Sequence, residues 1–204
     1  CNASSKTGII MFLRTCAVAV AAAITLSLST GPVVATDAID QAQALTQATH
    51  RRIVEVRFEG APSDVIANLL TRVDLFDPTI AEVRFDHSQS MTRGEMGVGS
   101  RRICIFTDGR ILVEPLLVYD PPRAYAYTVD ADASTMTLPV REIVLFYEFE
   151  DDGDGTLVTI HAFYDPSIPG TGPVIEPAPT GTLRRTYQTA AQALGGAYSG
   201  DRKP

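Results

Sequence analysis

The sequence is poor in the residues that build disulfide scaffolds and metal centres. It contains three Cys, three His and no Trp among its 204 residues. Three Cys exclude a disulfide-scaffolded miniprotein. The histidines His50, His87 and His161 are dispersed and never stand at the spacing of metal ligands, which argues against a zinc site. We therefore expect neither a bound metal nor a cofactor.

Basic residues are also in the minority. The chain has 17 Lys and Arg against 24 Asp and Glu, which gives a formal net charge of −7. A nucleic-acid-binding protein needs a basic stripe to meet phosphates, so nucleic acid is excluded as a partner. Charged residues make up 20% and apolar residues 45% of the chain, as in an ordinary globular domain. The length predicts one domain.

The N-terminal part of the chain lacks negative charge altogether. No acidic residue precedes Asp37, residues 16–28 form a short apolar run, and a Gly-Pro break follows before the small residues that end at Ala35. This arrangement is typical of a secretory signal peptide, which we predict over residues 1–35 with its start at Met11. The mature protein would then be exported, either periplasmic or secreted.

An alternative is that the same segment stays uncleaved and anchors the protein. Residues 16–35 are about long enough to span a bilayer, but the Gly-Pro break and the Ser and Thr content favour cleavage. Membrane contact of the cleaved protein would be transient. Cleavage would also leave a single cysteine, Cys104, which stands in an apolar strand and is expected to be an inert core residue.

Hydrophobic periodicity divides the rest of the chain into recognisable elements. Residues 36–51 are rich in Ala and Gln and are expected to form a tether or a peripheral helix. Alternation predicts a strand at 53–58, and two short helices follow. About six further strands come next, with strong hairpin signals at Asp108-Gly109 and Asp152-Gly153. An apolar stripe over residues 183–198 predicts a long final helix.

This order of elements predicts an α+β fold with an antiparallel sheet. A sheet of six to seven strands with one amphipathic helix curls around that helix, and a cavity remains where the two do not close. We assign the ligand-binding domain to residues 52–199, preceded by the tether at 36–51 and followed by a tail at 200–204.

The second hairpin predicts which side chains face the cavity. With Asp152-Gly153 at the centre of the turn, Tyr147 lies on an apolar face, where Arg141 stands opposite Tyr164. That face should be inward. The other face carries His161 and is expected to meet solvent.

The first hairpin supplies charged candidates. With Asp108-Gly109 as a two-residue turn, Arg101 and Glu114 share the inward face and lie near enough to pair diagonally. A buried charge survives only when it is paired or hydrogen-bonded. Arg102 and Cys104 would then lie on the opposite face.

Several polar groups that converge in an apolar interior are what orients a hydrophobic ligand. Each candidate alone is more simply explained as a rim or core residue, whereas the set as a whole predicts a ligand site. The nucleotide-loop, nucleophile-elbow and calcium-loop patterns all fail on spacing or context. The candidate ligand-binding residues are Arg101, Glu114, Tyr125, Tyr127, Arg141, Tyr147 and Tyr164.

Short segments along residues 54–197 match, in order, those of a known family. They are Ala61-Pro62, Gly97-Val98-Gly99-Ser100-Arg101-Arg102, Glu114, Tyr119-Asp120-Pro121-Pro122-Arg123 with Tyr127, Leu138-Pro139-Val140-Arg141, Asp152-Gly153-Asp154-Gly155-Thr156 and Ile168-Pro169-Gly170. By these segments the chain resembles the polyketide cyclase/dehydrase and lipid-transport family of the START-like (SRPBCC, Bet v 1-like) superfamily. The resemblance implies a helix-grip fold, in which a curved antiparallel sheet wraps around a long C-terminal helix and encloses a hydrophobic cavity.

The chain departs from that family in two places. Family members usually carry a Trp near the position of Thr79, and this chain has none. The loop over residues 166–179 is unusually rich in Pro. Both differences affect the expected mouth of the cavity.

The residue pattern and the resemblance together predict an exported binding or transport protein for a hydrophobic small molecule, namely a lipid, a quinone or a polyketide-like compound. Glu114, Tyr127, Arg141 and Tyr164 would hold its polar groups. The alternative is an enzyme of the polyketide cyclase or dehydratase type, with Glu114 as general acid/base and Arg101 or Arg141 stabilising an enolate. Binding is preferred because the sequence contains no recognisable catalytic set.

Overall fold

In the part of the chain that the structure describes, one antiparallel sheet of eight strands organises the fold. This computed structural model describes residue 40, residues 42–167 and residues 177–204. The strands are β1 (His50–Glu59), β2 (Ile80–Asp86), β3 (Arg101–Phe106), β4 (Ile111–Asp120), β5 (Ala124–Thr128), β6 (Val140–Asp151), β7 (Gly155–Pro166) and β8 (Gly196–Arg202). The helices are α1 (Pro62–Thr71) and α2 (Pro177–Leu194), and a 3₁₀ turn spans Val73–Leu75. The strands lie in the order β2-β3-β4-β5-β6-β7-β1-β8.

Three predicted features lie wholly or partly outside the described residues. The predicted signal peptide, residues 1–35, lies wholly outside them. The tether lacks residues 36–39 and 41, and the Pro-rich loop lacks residues 168–176.

The inner face of the sheet and both helices share one hydrophobic core. Helix α1 begins with Pro62, which suits the first turn, and buries one apolar side. Its Leu70 joins Val56 and Ile160 from the sheet and Ala190 from α2 in the same cluster. The predicted α+β helix-grip fold is confirmed, because a long C-terminal helix packs against one face of an antiparallel sheet.

The sheet has eight strands where six to seven were predicted. The additional strand, β8, follows the last helix, which was predicted to continue through Tyr198. Helix α2 ends instead at Leu194, because Gly195 adopts a left-handed conformation with φ of 72°. At Gly196 a side chain would meet the backbone oxygen of Arg57 at 2.3 Å, so glycine allows β8 to pair with β1. Among the described residues, no helix is long and apolar enough to cross a membrane.

The β6–β7 hairpin has its predicted faces but a different register. Ile143 rather than Arg141 stands opposite Tyr164, and Tyr147 stands opposite Ile160. The register is shifted by two residues, and an even shift leaves every paired side chain on its predicted face. Arg141 is the exception, because an irregularity between Val140 and Glu142 takes it out of the ladder. The prediction that Arg141 faces inward is therefore wrong.

The β3–β4 hairpin differs by one residue, which has a larger consequence. The backbone N–H of Phe106 donates to the carbonyl of Arg110 at 2.9 Å, and Gly109 adopts φ of 84°. The loop is thus a three-residue loop with glycine in the left-handed position rather than a two-residue turn. An odd shift exchanges the faces of β3, so Arg102 stands opposite Glu114 and Arg101 points away from the core. The predicted inward position of Arg101 is wrong.

Residues 42–49, in the region predicted as a tether, pack on part of the outer face of the sheet. Ala42 and Ala48 pack there against Phe146 and Phe163. His161 lies on this face and is only 2% exposed. The prediction that His161 meets solvent is therefore wrong, because Arg51, Glu148 and Phe146 surround its ring.

Candidate ligand-binding site

A pocket of about 130 Å³ lies where β3, β4, β5 and β6 meet helix α2 and the 3₁₀ turn. Most of its wall is apolar, and its polar groups come from five different elements of the fold. The apolar lining residues are Leu69, Val73, Phe76, Ile80, Phe106 and Leu112. The polar lining residues are Asp77, Arg102, Cys104, Glu114, Tyr127, Tyr147, Thr186 and Tyr187.

A buried ion pair forms one wall of this pocket. Nε of Arg102 donates to Oε2 of Glu114 at 2.7 Å, and the two side chains are only 4% and 6% exposed. The residues stand directly opposite each other on β3 and β4. Burial opposes the charge of Arg102, but the carboxylate of Glu114 outweighs it and raises the pKa of the guanidinium above its ordinary value.

Two further contacts hold the guanidinium in place. Nη1 of Arg102 donates to the carbonyl of Leu70 at 3.2 Å, near the end of α1. The guanidinium carbon lies 4.3 Å from the centroid of the Tyr127 ring, within the range of a cation–π interaction. Breaking such a pair by removing one partner costs about 3–5 kcal/mol, since the other charge is left buried.

Cys104 also faces the pocket and contacts the same carboxylate. Its Sγ donates to Oε2 of Glu114 at 3.5 Å. Burial, together with the negative charge of Glu114, raises the pKa of the Cys104 thiol to about 12. The thiol is therefore protonated at neutral pH, and a nucleophilic role would need the thiolate.

Three tyrosine hydroxyls form a connected chain at the pocket wall. The hydroxyl of Tyr127 lies 3.0 Å from that of Tyr147, which in turn bonds to the hydroxyl of Tyr187 on α2. Burial raises the pKa of Tyr127 to about 12 and raises those of Tyr147 and Tyr187 as well. All three hydroxyls are therefore neutral at physiological pH and can donate or accept a hydrogen bond.

The structure brings together three of the seven predicted site residues. Glu114, Tyr127 and Tyr147 line the pocket. Tyr125 lies behind them, stacked on Tyr147 with ring centroids 4.3 Å apart. Tyr164 is buried on the same face near the first residue of β1, where its ring stacks on His50 at 5.5 Å.

Both predicted arginines lie outside the pocket. Arg101 forms an ion pair with Asp130 on the outer side of β3. Arg141 is 66% exposed and donates to Asp165 at 2.7 Å. It lines a separate depression of about 390 Å³ near the start of β6, together with Glu142 and the apolar residues Met136 and Ile143. The charged groups of that depression are not buried.

Sequence reasoning missed two important members of the pocket. Arg102 was placed on the wrong face by the one-residue shift. Tyr187 was recognised only as part of the apolar stripe of the last helix, and no signal distinguished its hydroxyl from an ordinary core side chain. Among the described residues, no group of three His, Cys, Asp or Glu side chains is arranged to hold a metal ion.

The volume of the pocket limits what it holds in this structure. A cavity of about 150 Å³ accommodates one benzene molecule, whereas drug-sized ligands occupy about 300–1,000 Å³. Much of the interior that the fold encloses is filled by aromatic rings, including Tyr125, Tyr147 and Phe149, which stack on one another. The pocket of about 130 Å³ thus matches a single ring.

Solved structures share this architecture at low sequence identity. The protein XoxI from Bacillus cereus aligns with a TM-score of 0.53 and 17% identity over 72% of this chain and 96% of its own. Ginseng major latex-like protein 151 from Panax ginseng aligns with a TM-score of 0.51 and 18% identity over 72% of this chain and 99% of its own. At such identities the likeness shows the fold alone. A comparison with curated protein sequences finds no significant match.

A family comparison reaches further than these structural likenesses. The sequence model of the family described as "Polyketide cyclase / dehydrase and lipid transport" matches residues 46–197, which is most of the chain and includes the pocket. The fold, with its pocket between sheet and last helix, agrees with that match. The chain therefore belongs to the polyketide cyclase/dehydrase and lipid transport family.

Proposed function

We propose that this protein binds an apolar small molecule between the sheet and helix α2. One observation carries the proposal: a pocket with a mostly apolar wall also presents a buried ion pair, Arg102 and Glu114, and a chain of tyrosine hydroxyls. Family membership supports it, because the family description includes lipid transport. The apolar wall would bury the body of the ligand, and the polar groups would orient it.

The size of the pocket sets the expected strength of binding. Burying about 200 Å² of an aromatic ring contributes roughly 5 kcal/mol at 25 cal/mol per Å². The loss of translational and rotational freedom offsets much of this gain. We therefore expect dissociation constants of about 1 mM or weaker for single-ring ligands.

The test is a binding screen that detects weak complexes. Ligand-observed NMR and native mass spectrometry would be run on the purified protein with a panel of single-ring compounds, quinones and lipids. The variant Leu112→Phe places a larger side chain in the pocket and should abolish binding. Ile111→Phe is the matched control, because Ile111 precedes Leu112 on β4 and does not line the pocket. Absence of binding by the whole panel, or equal binding by both variants, would contradict the proposal.

We also propose that the protein is exported. The apolar run and the cleavage pattern within residues 16–35 support this. N-terminal sequencing of the protein recovered from cells should find a chain beginning at residue 36. Recovery of an intact N-terminus in the membrane fraction would instead indicate an uncleaved anchor.

An enzymatic role is the second candidate. It is favoured by the position of Glu114, whose carboxylate lies in the pocket, where a general acid/base would have to be. It is weakened by the positions of Arg101 and Arg141, which lie outside the pocket and could not stabilise an enolate there. Turnover of a bound polyketide-like compound that disappears in Glu114→Gln, while binding persists, would favour the enzyme.

A further inference from the structure

We propose that the pocket selects an uncharged single-ring compound with a hydroxyl group and rejects the corresponding carboxylate. This inference rests on the proposed function and narrows it from hydrophobic molecules in general to one chemical class. Three properties of the pocket carry it: its volume, its charge and the hydrogen-bonding capacity of its wall.

The volume selects one ring. About 130 Å³ is close to the volume that holds benzene and is too small for a long acyl chain. Aromatic rings from Phe76, Phe106 and Tyr127 contribute to the wall. Flat rings stack favourably on such surfaces in offset or edge-to-face arrangements.

The charge of the wall disfavours anions. Two carboxylates, Glu114 and Asp77, face a single cation, Arg102, so the charged lining groups sum to −1. Cys104 and the tyrosines add nothing to this sum, because the raised pKa values keep them neutral. A ligand carboxylate would add a second uncompensated negative charge in a poorly solvated place, and like charges brought together in such a place repel strongly.

A cationic ligand meets a different obstacle. The guanidinium of Arg102 already occupies the site beside Glu114, with Nε 2.7 Å from Oε2, and it covers the Tyr127 ring. A second cation would have to displace it or lie against it. An uncharged ligand avoids both the repulsion from the carboxylates and the competition with Arg102.

The hydrogen-bonding groups of the wall call for a hydroxyl. An ionised carboxylate only accepts hydrogen bonds and offers about four acceptor sites. Arg102 and Cys104 both bind Oε2 of Glu114, so the carboxylate has capacity for a donor from a ligand. A hydroxyl group can donate to Glu114 and accept from a tyrosine hydroxyl in the same place. A ring without a hydroxyl would displace water from Glu114 and the tyrosine hydroxyls without replacing the hydrogen bonds that the water made.

The decisive comparison uses two ligands with the same ring and nearly the same size. Benzyl alcohol and benzoate would be titrated into the protein at pH 7 and followed by protein-observed NMR. We expect benzyl alcohol to bind and benzoate to bind at least about tenfold more weakly. Toluene should bind more weakly than benzyl alcohol, because it cannot donate to Glu114.

Substitution of the carboxylate should reverse the preference. In Glu114→Gln, Arg102 loses its ionic partner and becomes available to an anion, so benzoate should gain about tenfold or more relative to benzyl alcohol. Asp77→Asn leaves the buried pair intact and should narrow the difference in affinity between benzyl alcohol and benzoate by less, because Asp77 is only half-buried. This second variant also keeps the test decisive if Glu114→Gln does not fold.

The outcomes separate this inference from the proposed function. If benzoate binds the unaltered protein as tightly as benzyl alcohol, or if no foldable carboxylate variant changes the ratio, the inference is overturned while hydrophobic binding stands. If no compound of any class binds, the proposed function itself fails.

Discussion

The two faces of the sheet each bury a charged cluster, and the cluster on the inner face lines a pocket. On the inner face, Arg102 and Glu114 pair at 2.7 Å in the wall of a pocket of about 130 Å³. On the outer face, Nε2 of His161 lies 2.7 Å from Oε2 of Glu148, and Nδ1 lies 2.7 Å from Nη2 of Arg51. A guanidinium can only donate, so Nδ1 accepts and Nε2–H donates to the carboxylate.

The difference lies in what covers each cluster. In the outer cluster, Arg51 and Glu148 occupy both ring nitrogens of His161, and the ring lies beside Phe146. The inner cluster has α2 and the 3₁₀ turn above it, and these leave space between them. A buried ion pair is therefore not in itself a mark of a binding site. The inner face is distinguished by the pocket beside its ion pair, which the Glu114 carboxylate lines.

The largest expected effect comes from breaking the inner pair on one side. Glu114→Leu should lower the free energy of unfolding by about 3–5 kcal/mol, because it leaves the Arg102 guanidinium buried without its carboxylate. The double variant Arg102→Met/Glu114→Leu should recover most of that loss, since no charge then remains buried. Urea denaturation of both variants measures the two values. A double variant that is no more stable than the single one would show that the pair contributes stability of its own.

A smaller effect is expected on the outer face. His161→Ala removes both hydrogen bonds of the ring and should lower the free energy of unfolding by about 2 kcal/mol. The loss is smaller than at the inner pair because Glu148 retains some solvent access. Binding of benzyl alcohol should stay within about twofold, since His161 lies on the opposite face of the sheet from the pocket. A loss of benzyl alcohol affinity well beyond twofold would mean that the two faces are coupled and that the comparison between them is wrong.

The sequence was sufficient for the architecture because hydrophobic periodicity and hairpin signals are local. The β6–β7 hairpin shows that such a prediction tolerates an error in register. Its observed pairing differs from the predicted one by two residues, and Tyr147 still lies on the inner face. The same reasoning failed on β3, where a three-residue loop replaced a two-residue turn and Arg102 took the place of Arg101. Side-chain direction in a strand alternates with every residue, so an error of one residue exchanges the site and the surface.

Other parts of the site depend on contacts that local patterns do not encode. Tyr187 reaches Tyr147 only because α2 packs against β6 in three dimensions. Residues 42–49 pack on Phe146 and Phe163, although their Ala and Gln content indicated no fixed position. In both cases the partners are separated by many residues in the chain, and spacing within one element carries no information about them.

The third prediction concerns how residues 42–49 are held on the outer face at different pH values. The carboxylate of Asp165 accepts from the backbone N–H of Thr49 at 2.8 Å, and this bond, with those to Thr49 Oγ1 and Arg141, lowers the pKa of Asp165 from 3.8 to about 2. Above about pH 5 the group is ionised in both folded and unfolded chains, and its contribution to stability is complete. As the pH falls through 3.8 towards 2, the unfolded chain takes up the proton first and the contribution is lost.

Two variants sharpen this prediction. Asp165→Asn should remove this part of the pH dependence of unfolding between about pH 5 and 2, at a cost of up to about 2 kcal/mol at pH 7. Thr49→Ala removes only the hydroxyl donor and keeps the backbone donor, which is the strongest single influence on the carboxylate. It should therefore reduce the pH dependence only in part. An unchanged acid profile in Asp165→Asn would show that other carboxylates dominate acid unfolding and that Asp165 does not hold residues 42–49 through its charge.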